Sequence, residues 1–327
     1  MQKDNEDIIV KNLSKSFLDV KAVKDISFEV KAGELFGFLG PNGAGKTTTI
    51  KMMTGLARPD FGSIITAGID CSKNPKAAQH LIGIVPDESN LYPELTGFEN
   101  LCFCASLYGI GKAEREQEAR KLLDAFDLKD AANRKFAGYS KGMKRKLTIA
   151  AGIIHKPRVL FLDEPTTGID VASARALRIM IEELHKQGTT ILLTTHYIEE
   201  AQRLCDRIAF IVSGKIVAVD SVQNLLKHDE GKYFLHVTHK GKNPDIAEKL
   251  TARFDNMTFS FMKDSSFRLE SQEPINITPI VMFLEGLGID VMEAKRIIPS
   301  LEDVFVRITG LEAGIMRKDK EKQGGGK

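Results

Sequence analysis

A glycine-rich loop between an apolar run and a helix-like stretch constrains the fold of this chain most. Residues Gly40 to Thr47 fit the pattern G-x-x-x-x-G-K-[ST], follow the apolar run Leu35–Leu39 and precede a helical pattern at Thr48–Thr54. Glycines let the backbone curl so that successive N–H groups converge, and the helix N-terminus adds positive potential there. The loop therefore predicts a phosphate-binding site in an α/β fold, rather than a mere connection between strand and helix.

Every residue of this loop is a candidate contact for the phosphates of ATP. Lys46 is expected to neutralise the β- and γ-phosphates, and the Thr47 hydroxyl is expected to bind Mg²⁺. ATP and Mg²⁺ are therefore the expected ligands. The complete set of expected contacts in the loop is Gly40, Pro41, Asn42, Gly43, Ala44, Gly45, Lys46, Thr47 and Thr48.

Two adjacent carboxylates, Asp163 and Glu164, follow a second apolar run, Val159–Leu162. Downstream of a phosphate loop, Asp163 is expected to hold Mg²⁺ through its water shell. Glu164 is expected to accept a proton from the water that attacks the γ-phosphate. The alternative is that both residues only cap the next helix or face solvent. His196 follows the run Thr190–Thr195, and we favour a γ-phosphate contact over a structural role, because α/β sheets bind ligands at the carboxyl ends of parallel strands.

The composition is that of a globular protein with little net charge. Of the 327 residues, 28% are charged and 43% hydrophobic, and the net charge is +2. We therefore expect no nucleic-acid partner, which would favour a concentrated basic face. No run approaches the roughly 18–20 apolar residues of a membrane helix. The first residues also lack the basic-then-apolar order of a signal peptide, so a cytoplasmic chain is expected.

The cysteines have no spacing typical of metal or redox sites. They are Cys71, Cys102, Cys104 and Cys205, and the middle two flank Phe103 in an apolar stretch. A small buried thiol is the ordinary role of such a residue. We therefore expect neither a metal site nor a disulfide at these positions.

Short apolar runs alternate with amphipathic helical patterns along the first two thirds of the chain. The runs that predict strands buried on both faces are Leu35–Leu39, Val159–Leu162, Thr190–Thr194 and Ile208–Val212. Strands that alternate with helices predict a largely parallel sheet with right-handed crossovers. The region Leu91–Ile154 breaks the alternation, and its helical patterns predict a helical insert.

A smaller second domain is predicted after the nucleotide-binding region. Residues Tyr233–Thr238, Met257–Met262 and Phe267–Glu270 alternate like exposed edge strands, and Pro279–Leu287 has a helical pattern. The last residues are rich in Lys, Glu and Gly, which predicts a disordered tail. The expected boundaries are 1–225 for the ATPase domain, about 88–155 for its insert, 231–313 for a small α+β domain and 314–327 for the tail.

The order of the motifs over about Ile8–Leu225 resembles the ATPase domain of ABC transporters. The phosphate loop, a signature segment at Tyr139–Met143, the carboxylate strand, the turn Thr167–Asp170 and His196 occur in the order of that family. The resemblance implies an α/β fold with a mostly parallel core sheet, antiparallel N-terminal strands and a helical insert. It also implies ATP hydrolysis.

The signature segment departs in part from the family pattern Leu-Ser-Gly-Gly-Gln. Ser140 and Gly142 match this pattern, whereas Lys141 and Met143 do not. In the family, the segment contacts the γ-phosphate bound to the opposite subunit, and Asp170 matches the D-loop at the same interface. The resemblance therefore implies that this chain and a second copy, or a homologous ATPase subunit, hold two ATP molecules head to tail.

Two further positions are candidates because of the resemblance. Asp87 stands where the family usually has a glutamine, and its carboxylate can reach Mg²⁺ through water. The alternative is an ordinary acid in a loop. Phe17 stands where the family has an aromatic residue that stacks on adenine, and a place in the hydrophobic core is the competing interpretation.

Three segments are similar to the ATP-binding subunits of daunorubicin-resistance-type exporters, namely Tyr92–Asn100, Tyr139–Met143 and Pro299–Thr309. This resemblance implies a separate transmembrane permease, a peripheral position at the cytoplasmic face of the membrane, and export of a drug-like or lipid-like substrate. A helix of the permease would enter a groove formed by residues 87–100 and 136–139. The alternatives are a soluble ABC ATPase that acts on ribosomes or nucleic acid, and a nucleotide-binding regulator without hydrolysis.

Overall fold

The computed structural model describes residues 6–227, 233–240, 245–262, 265–297 and 300–311. The chain divides into two units. Unit 1 comprises Met1–Val222 and Phe305–Lys327, and unit 2 comprises Gln223–Val304. The predicted tail at 314–327 lies outside the described residues. The domain boundaries expected from the sequence remain a prediction.

The described part of unit 1 contains both strands and helices. The strands are β1 (Glu6–Phe17), β2 (Val20–Lys31), β3 (Leu35–Leu39), β4 (Phe61–Thr66), β5 (Ile69–Asp70), β6 (Ile82–Val85), β7 (Val159–Asp163), β8 (Thr190–Thr195), β9 (Arg207–Val212) and β10 (Lys215–Ser221). The helices are α1 (Lys46–Met53), α2 (Pro75–Gln79), α3 (Gly97–Leu107), α4 (Lys112–Ala125), α5 (Lys141–Ile153), α6 (Val171–Lys186) and α7 (Ile198–Leu204), followed by α8 (Val222–Lys227) at the unit boundary. None of the helices in the described ranges is long and apolar enough to cross a membrane.

The central sheet of unit 1 has the strand order β10-β9-β3-β8-β7-β6. All neighbouring strands are parallel except β9 and β10. Every residue of β3, β7 and β8 is buried, which confirms the strands predicted from continuous apolar runs. The register pairs Leu39 with Thr195 and Asp163 with Thr194. The carboxyl ends of these strands therefore lie side by side at one edge of the sheet.

A second sheet, β2-β1-β4-β5, is antiparallel and packs against the central sheet. The Phe28 ring on β2 lies 5.5 Å from the Phe36 ring and 5.2 Å from the Phe38 ring on β3, between ring centroids. All three rings belong to one buried core that includes residues of both sheets. These aromatic contacts join the two layers, and the antiparallel N-terminal strands implied by the family resemblance are confirmed.

The segment between β6 and β7 is helical in the described structure, as its patterns predict. It contains α3, α4 and α5, and two short 3₁₀ turns at Lys129–Ala131 and Phe136–Gly138. Thr96 begins α3 with a capping box, in which its hydroxyl accepts from Glu99 N and its own N–H donates to the Glu99 carboxylate. This local signal fixes where α3 begins.

Unit 2 is an antiparallel sheet with helices on one face. Its elements are β11 (Tyr233–Lys240), α9 (Ile246–Arg253), β12 (Met257–Met262), β13 (Ser266–Ser271), α10 (Ile277–Gly286), β14 (Asp290–Ile297) and the first residues of α11 (Leu301–Thr309). The strand order is β12-β13-β11-β14, so β11 and β13 are interior and their prediction as edge strands is wrong. Leu235, Phe267 and Leu269 are fully buried in one cluster with Leu250 of α9 and Leu284 of α10. The helices α9 and α10 pack on the apolar side of β11 and β13. The alternating sequence pattern predicts one buried side and does not give the number of neighbouring strands.

Candidate active site

The loop between β3 and α1 contains two glycines that leave no room for a side chain. A Cβ atom on Gly40 would collide with Ile211 O, and one on Gly45 would lie 2.5 Å from Ala22 O. Gly45 has a φ of 104° and precedes the first residue of α1. Thr49 N donates to Gly45 O at 2.9 Å, so the amides between these two residues have no acceptor within the helix. Such amides at a helix N-terminus are suitable donors for phosphate oxygens.

Lys46 at the start of α1 is a buried cation with partners in the loop and at Glu164. Its Nζ donates to Gly40 O at 2.7 Å and to Pro41 O at 3.2 Å. The same atom lies 3.2 Å from Glu164 Oε1. Thr47 next to it is exposed. The loop thus binds the lysine with its own carbonyl groups and leaves the Thr47 hydroxyl open to a ligand.

Glu164 lies immediately after β7 and is held by several partners. Its Oε2 lies 2.7 Å from His196 Nδ1 and accepts from Thr167 Oγ1 at 3.0 Å. Its backbone has a φ of 49°, and its N–H donates to Thr194 O at 3.2 Å and Thr194 Oγ1 at 3.1 Å. Burial raises the pKa of Glu164, but the hydrogen bond from His196 and the charge of Lys46 outweigh burial and lower it to about 2. The buried Glu164 side chain therefore remains an ionised carboxylate.

Asp163 and Asp87 lie close to this carboxylate. Asp163 is buried, and its Oδ1 accepts a hydrogen bond from the Thr194 hydroxyl. Asp87 is exposed on the loop after β6; desolvation and the like charges of Glu164 and Asp163 raise its pKa against the opposing effect of Arg145. In the ranges that the structure describes, no cluster of three or more His, Cys, Asp or Glu side chains could hold a metal by itself. A magnesium ion bound together with phosphates needs only one or two protein carboxylates, so Asp163 with Thr47 fits such an ion.

The signature segment and the D-loop residue lie together at the N-termini of α5 and α6. Ser140 begins α5 and accepts from Met143 N at 3.2 Å. A Cβ atom on Gly142 would collide with the Ser173 side chain. Ser173 in turn donates to both carboxylate oxygens of Asp170, from its N–H at 2.9 Å and from its hydroxyl at 2.7 Å. Ser140, Gly142 and Asp170 thus lie at the contact between the N-termini of α5 and α6.

The predicted site residues therefore form two groups. We name as the catalytic group Lys46, Thr47, Asp163, Glu164 and His196. We name as the signature group Ser140, Gly142 and Asp170. Among the described residues, no hydrogen bond or ion pair joins the signature group to Lys46 or to the carboxylates of the catalytic group. One chain thus holds two sets of predicted ATP contacts without a direct bond between them.

Phe17 at the end of β1 is 50% exposed, so its interpretation as a core residue is wrong. Lys15 Nζ lies 5.4 Å from the centroid of its ring. An exposed aromatic face of this kind is available for stacking. The structure thus leaves the adenine contact as the remaining prediction for Phe17.

The two segments predicted to receive a permease helix are bonded to each other. Phe136 N donates to Leu95 O at 2.8 Å, and Ala137 N donates to Pro93 O at 3.0 Å. Tyr92 in the first segment is 50% exposed. The two segments therefore lie side by side on the helical insert, with the half-exposed Tyr92 ring in the first of them.

Two residues with evident roles were not identified from the sequence. Thr194 hydrogen-bonds both Asp163 and the amide of Glu164. Arg145 is buried in α5, and its guanidinium donates to Asp163 O at 2.6 Å and to Asp87 O at 2.9 Å. Arg145 stands between Lys144 and Lys146, so the sequence does not distinguish it from the other cations of α5. Thr194 had no sequence signal either, because its importance depends on strand register.

A glycine loop with a buried lysine, followed at the sheet edge by adjacent carboxylates, defines a P-loop nucleotide-hydrolysing protein. A family model described as ABC transporter matches residues 23–167. Linearmycin resistance ATP-binding protein LnrL of Bacillus subtilis is 35% identical, with 91% of this chain and 97% of that protein covered. Doxorubicin resistance ATP-binding protein DrrA of Mycobacterium tuberculosis is 35% identical, with 94% and 95% covered. The chain therefore belongs to the ABC transporter family, as an ATP-binding protein that hydrolyses ATP.

Solved structures agree with this assignment. The ATP-binding subunit of an ABC transporter is 33% identical and has a TM-score of 0.62, covering 68% of this chain and 93% of that one. MJ0796, a bacterial ABC transporter cassette solved as a dimer, is 25% identical with a TM-score of 0.62, covering 66% and 98%. The predicted P-loop ABC fold is confirmed, and the cassette structures cover about two thirds of the present chain.

Glu164→Gln is expected to destabilise the ATP-free protein most at neutral pH. Because folding lowers the pKa of Glu164 from its ordinary 4.5 to about 2, its ionised form stabilises the native state above pH 4.5 and contributes less as the pH falls towards 2. Urea unfolding should give a free-energy difference from wild type that narrows from about pH 7 to about pH 4. The control Glu199→Gln, which changes an exposed carboxylate, should stay within about 0.5 kcal/mol of wild type. A difference that widens as the pH falls would contradict this account of Glu164.

Proposed function

We propose that this chain is the ATP-hydrolysing subunit of an ABC exporter. Two copies, or this chain and a homologous subunit, would hold two ATP molecules head to tail and drive a separate transmembrane permease. The observation that carries this proposal is the division of the site residues into the catalytic group and the signature group. As the family resemblance implies, a complete site would combine the catalytic group of one copy with the signature group of the other.

Within the catalytic group, each side chain has a distinct part in hydrolysis. Glu164 is the general base that accepts a proton from the attacking water. Lys46 pairs with Glu164 and donates to a loop carbonyl, and the phosphates of ATP would compete for its charge. His196 would orient Glu164 through the hydrogen bond at Nδ1 and would contact the γ-phosphate. Phosphate binding would thus free Glu164 from its lysine partner.

The remaining predicted contacts complete the nucleotide site. Thr47 and Asp163 would hold Mg²⁺, with Asp87 reaching it through water. When bound, Mg²⁺ neutralises charge on the β- and γ-phosphate oxygens. The backbone of the loop from Gly40 would receive the phosphates, and the exposed ring of Phe17 would stack on adenine.

The second copy would supply the signature group. Ser140 and the amides at the start of α5 form a helix N-terminus that suits a phosphate. Asp170 caps α6 beside it and would lie at the same interface. The dimeric arrangement of the MJ0796 cassette supports this proposal. Binding of ATP would close the dimer, and hydrolysis would reopen it.

Transport by a separate permease is proposed from the names of the relatives. LnrL and DrrA are named for resistance to linearmycin and doxorubicin, and a Nod factor export ATP-binding protein of Burkholderia orbicola is 36% identical with 92% of this chain covered. We infer export of a drug-like or lipid-like substrate, and a peripheral position at the cytoplasmic face of the membrane. A soluble ABC ATPase acting on ribosomes or nucleic acid is not favoured, because the relatives are resistance and export proteins.

Glu164→Gln should keep ATP binding, abolish turnover and trap a dimer in the presence of ATP, because an amide cannot accept the proton of the attacking water. Lys46→Ala should instead lose nucleotide affinity, whereas its matched control Lys51→Ala, on the exposed side of α1, should keep it. Titration with a fluorescent ATP analogue measures nucleotide affinity, phosphate release measures turnover, and sedimentation measures dimerisation. Unchanged turnover in Glu164→Gln would exclude Glu164 as the base, and unaltered binding in Lys46→Ala would exclude the phosphate-loop assignment.

The permease proposal is tested by affinity purification of the full chain from detergent-solubilised membranes of its host. We expect a second chain with several apolar spans of about 20 residues to co-purify. Tyr92→Arg should reduce its recovery without loss of ATP binding, whereas Leu107→Arg, at an exposed position at the end of α3, should not. Recovery of ribosomes or nucleic acid without a membrane chain would contradict the proposal and favour the soluble alternative.

A further inference from the structure

Arg145 of α5 is a buried cation that hydrogen-bonds only to backbone carbonyl groups in the described structure. It is 5% exposed. Its Nε donates to Pro165 O at 2.8 Å and its Nη2 donates to Asp163 O at 2.6 Å. Its Nη1 donates to Asp87 O at 2.9 Å and also to Pro86 O. One guanidinium thus joins α5 to the loop after β6 and to the chain on either side of Glu164.

This arrangement depends on the shape of the side chain as well as on its charge. A guanidinium has five N–H donors in a planar fork, whereas a lysine ammonium has three donors at a single point. The acceptors belong to two separate segments, so a single-point cation in the same place could not bond all of them. A second link between the same elements is the hydrogen bond of 2.6 Å between Ser89 Oγ and Thr148 Oγ1 of α5.

At its N-terminus, α5 also carries the signature group. Ser140 caps the helix, and Gly142 lies against Ser173, which is bonded to Asp170. Gly142 and Arg145 are three residues apart on one helix, so they cannot move independently while the helix is intact. The signature group is therefore tied, through Arg145, to the backbone that carries Asp163 and Glu164 of the same copy.

We propose that Arg145 is a positioning residue that sets the orientation of the signature group relative to the catalytic group of its own chain. This inference rests on the proposed function, in which the signature group completes the site of the opposite copy. Through Arg145, the orientation of the signature group that one copy presents to its partner would depend on the conformation of the segments around that copy's own nucleotide. Loss of Arg145 should leave ATP binding to a single copy intact and weaken closure of the ATP-bound dimer.

The test uses the full chain in the Glu164→Gln background, where ATP-bound dimers accumulate without hydrolysis. ATP affinity is measured at low protein concentration, and the dissociation constant of the dimer with ATP is measured by sedimentation. Addition of Arg145→Lys or Arg145→Gln should change ATP affinity by less than about twofold and weaken the dimer by about tenfold or more. With Glu164 restored, Arg145→Lys should lower kcat by about 10- to 100-fold at an unchanged KM for ATP.

Matched controls separate charge from geometry. Lys146→Gln removes one positive charge from the same helix, where Lys146 pairs with the exposed Asp127 at 3.5 Å, and it should leave the dimer unchanged. Retained ATP binding shows that an Arg145 variant is folded. If Arg145→Gln does not fold, Ser89→Ala, which removes the second link to α5, should weaken the dimer in the same direction.

Three results would overturn the inference. They are a dimer within about twofold of its parent in folded Arg145 variants, full rescue by Arg145→Lys, and a loss of ATP affinity equal to the loss of dimerisation. Failure of the proposed function would differ from all three, because Glu164→Gln alone would then form no ATP-dependent dimer.

Discussion

The parallel pairing of β3, β8 and β7 is the constraint on which the chemistry of this protein depends. Its register pairs Leu39 with Thr195 and Asp163 with Thr194. The residues that directly follow these strands are Gly40, His196 and Glu164, so they meet at one edge of the sheet although the chain separates them widely. The catalytic group is therefore a consequence of strand register. The same register lets the Thr194 hydroxyl bond Asp163 and the amide of Glu164.

Burial of charge is the second constraint. An unpaired charge in a protein interior costs several kcal/mol, and buried ions therefore occur with partners. Lys46 Nζ lies 3.2 Å from Glu164 Oε1, and the further partners are loop carbonyls for Lys46 and His196 for Glu164. Arg145 is satisfied by carbonyl groups instead. The phosphates of ATP can thus replace the present partners of Lys46. The partners of Arg145 are backbone carbonyl groups, which a nucleotide is not expected to replace.

The sequence was sufficient for features encoded by short local patterns. The glycine loop, the buried strand that ends at Asp163 and the family order of motifs predicted the confirmed fold and ABC family membership. Arg145 was missed because its acceptors are carbonyl groups of residues far from it in the chain, which carry no side-chain signature. The interior position of β11 was missed because alternation reports burial of one face and not the number of neighbouring strands. The exposure of Phe17 could not be predicted from the sequence, because it depends on what packs around β1.

The central claim is that each nucleotide site combines the catalytic group of one copy with the signature group of another. Complementation between two defective copies tests it most directly. Lys46→Ala and Ser140→Glu chains should each be inactive alone, since every site in either dimer lacks one half. Mixed dimers contain one site with Lys46 and Ser140 both intact, so an equal mixture should regain turnover, up to about a quarter of wild type. Absence of recovery in verified mixed dimers, or full activity of Ser140→Glu alone, would contradict the shared site.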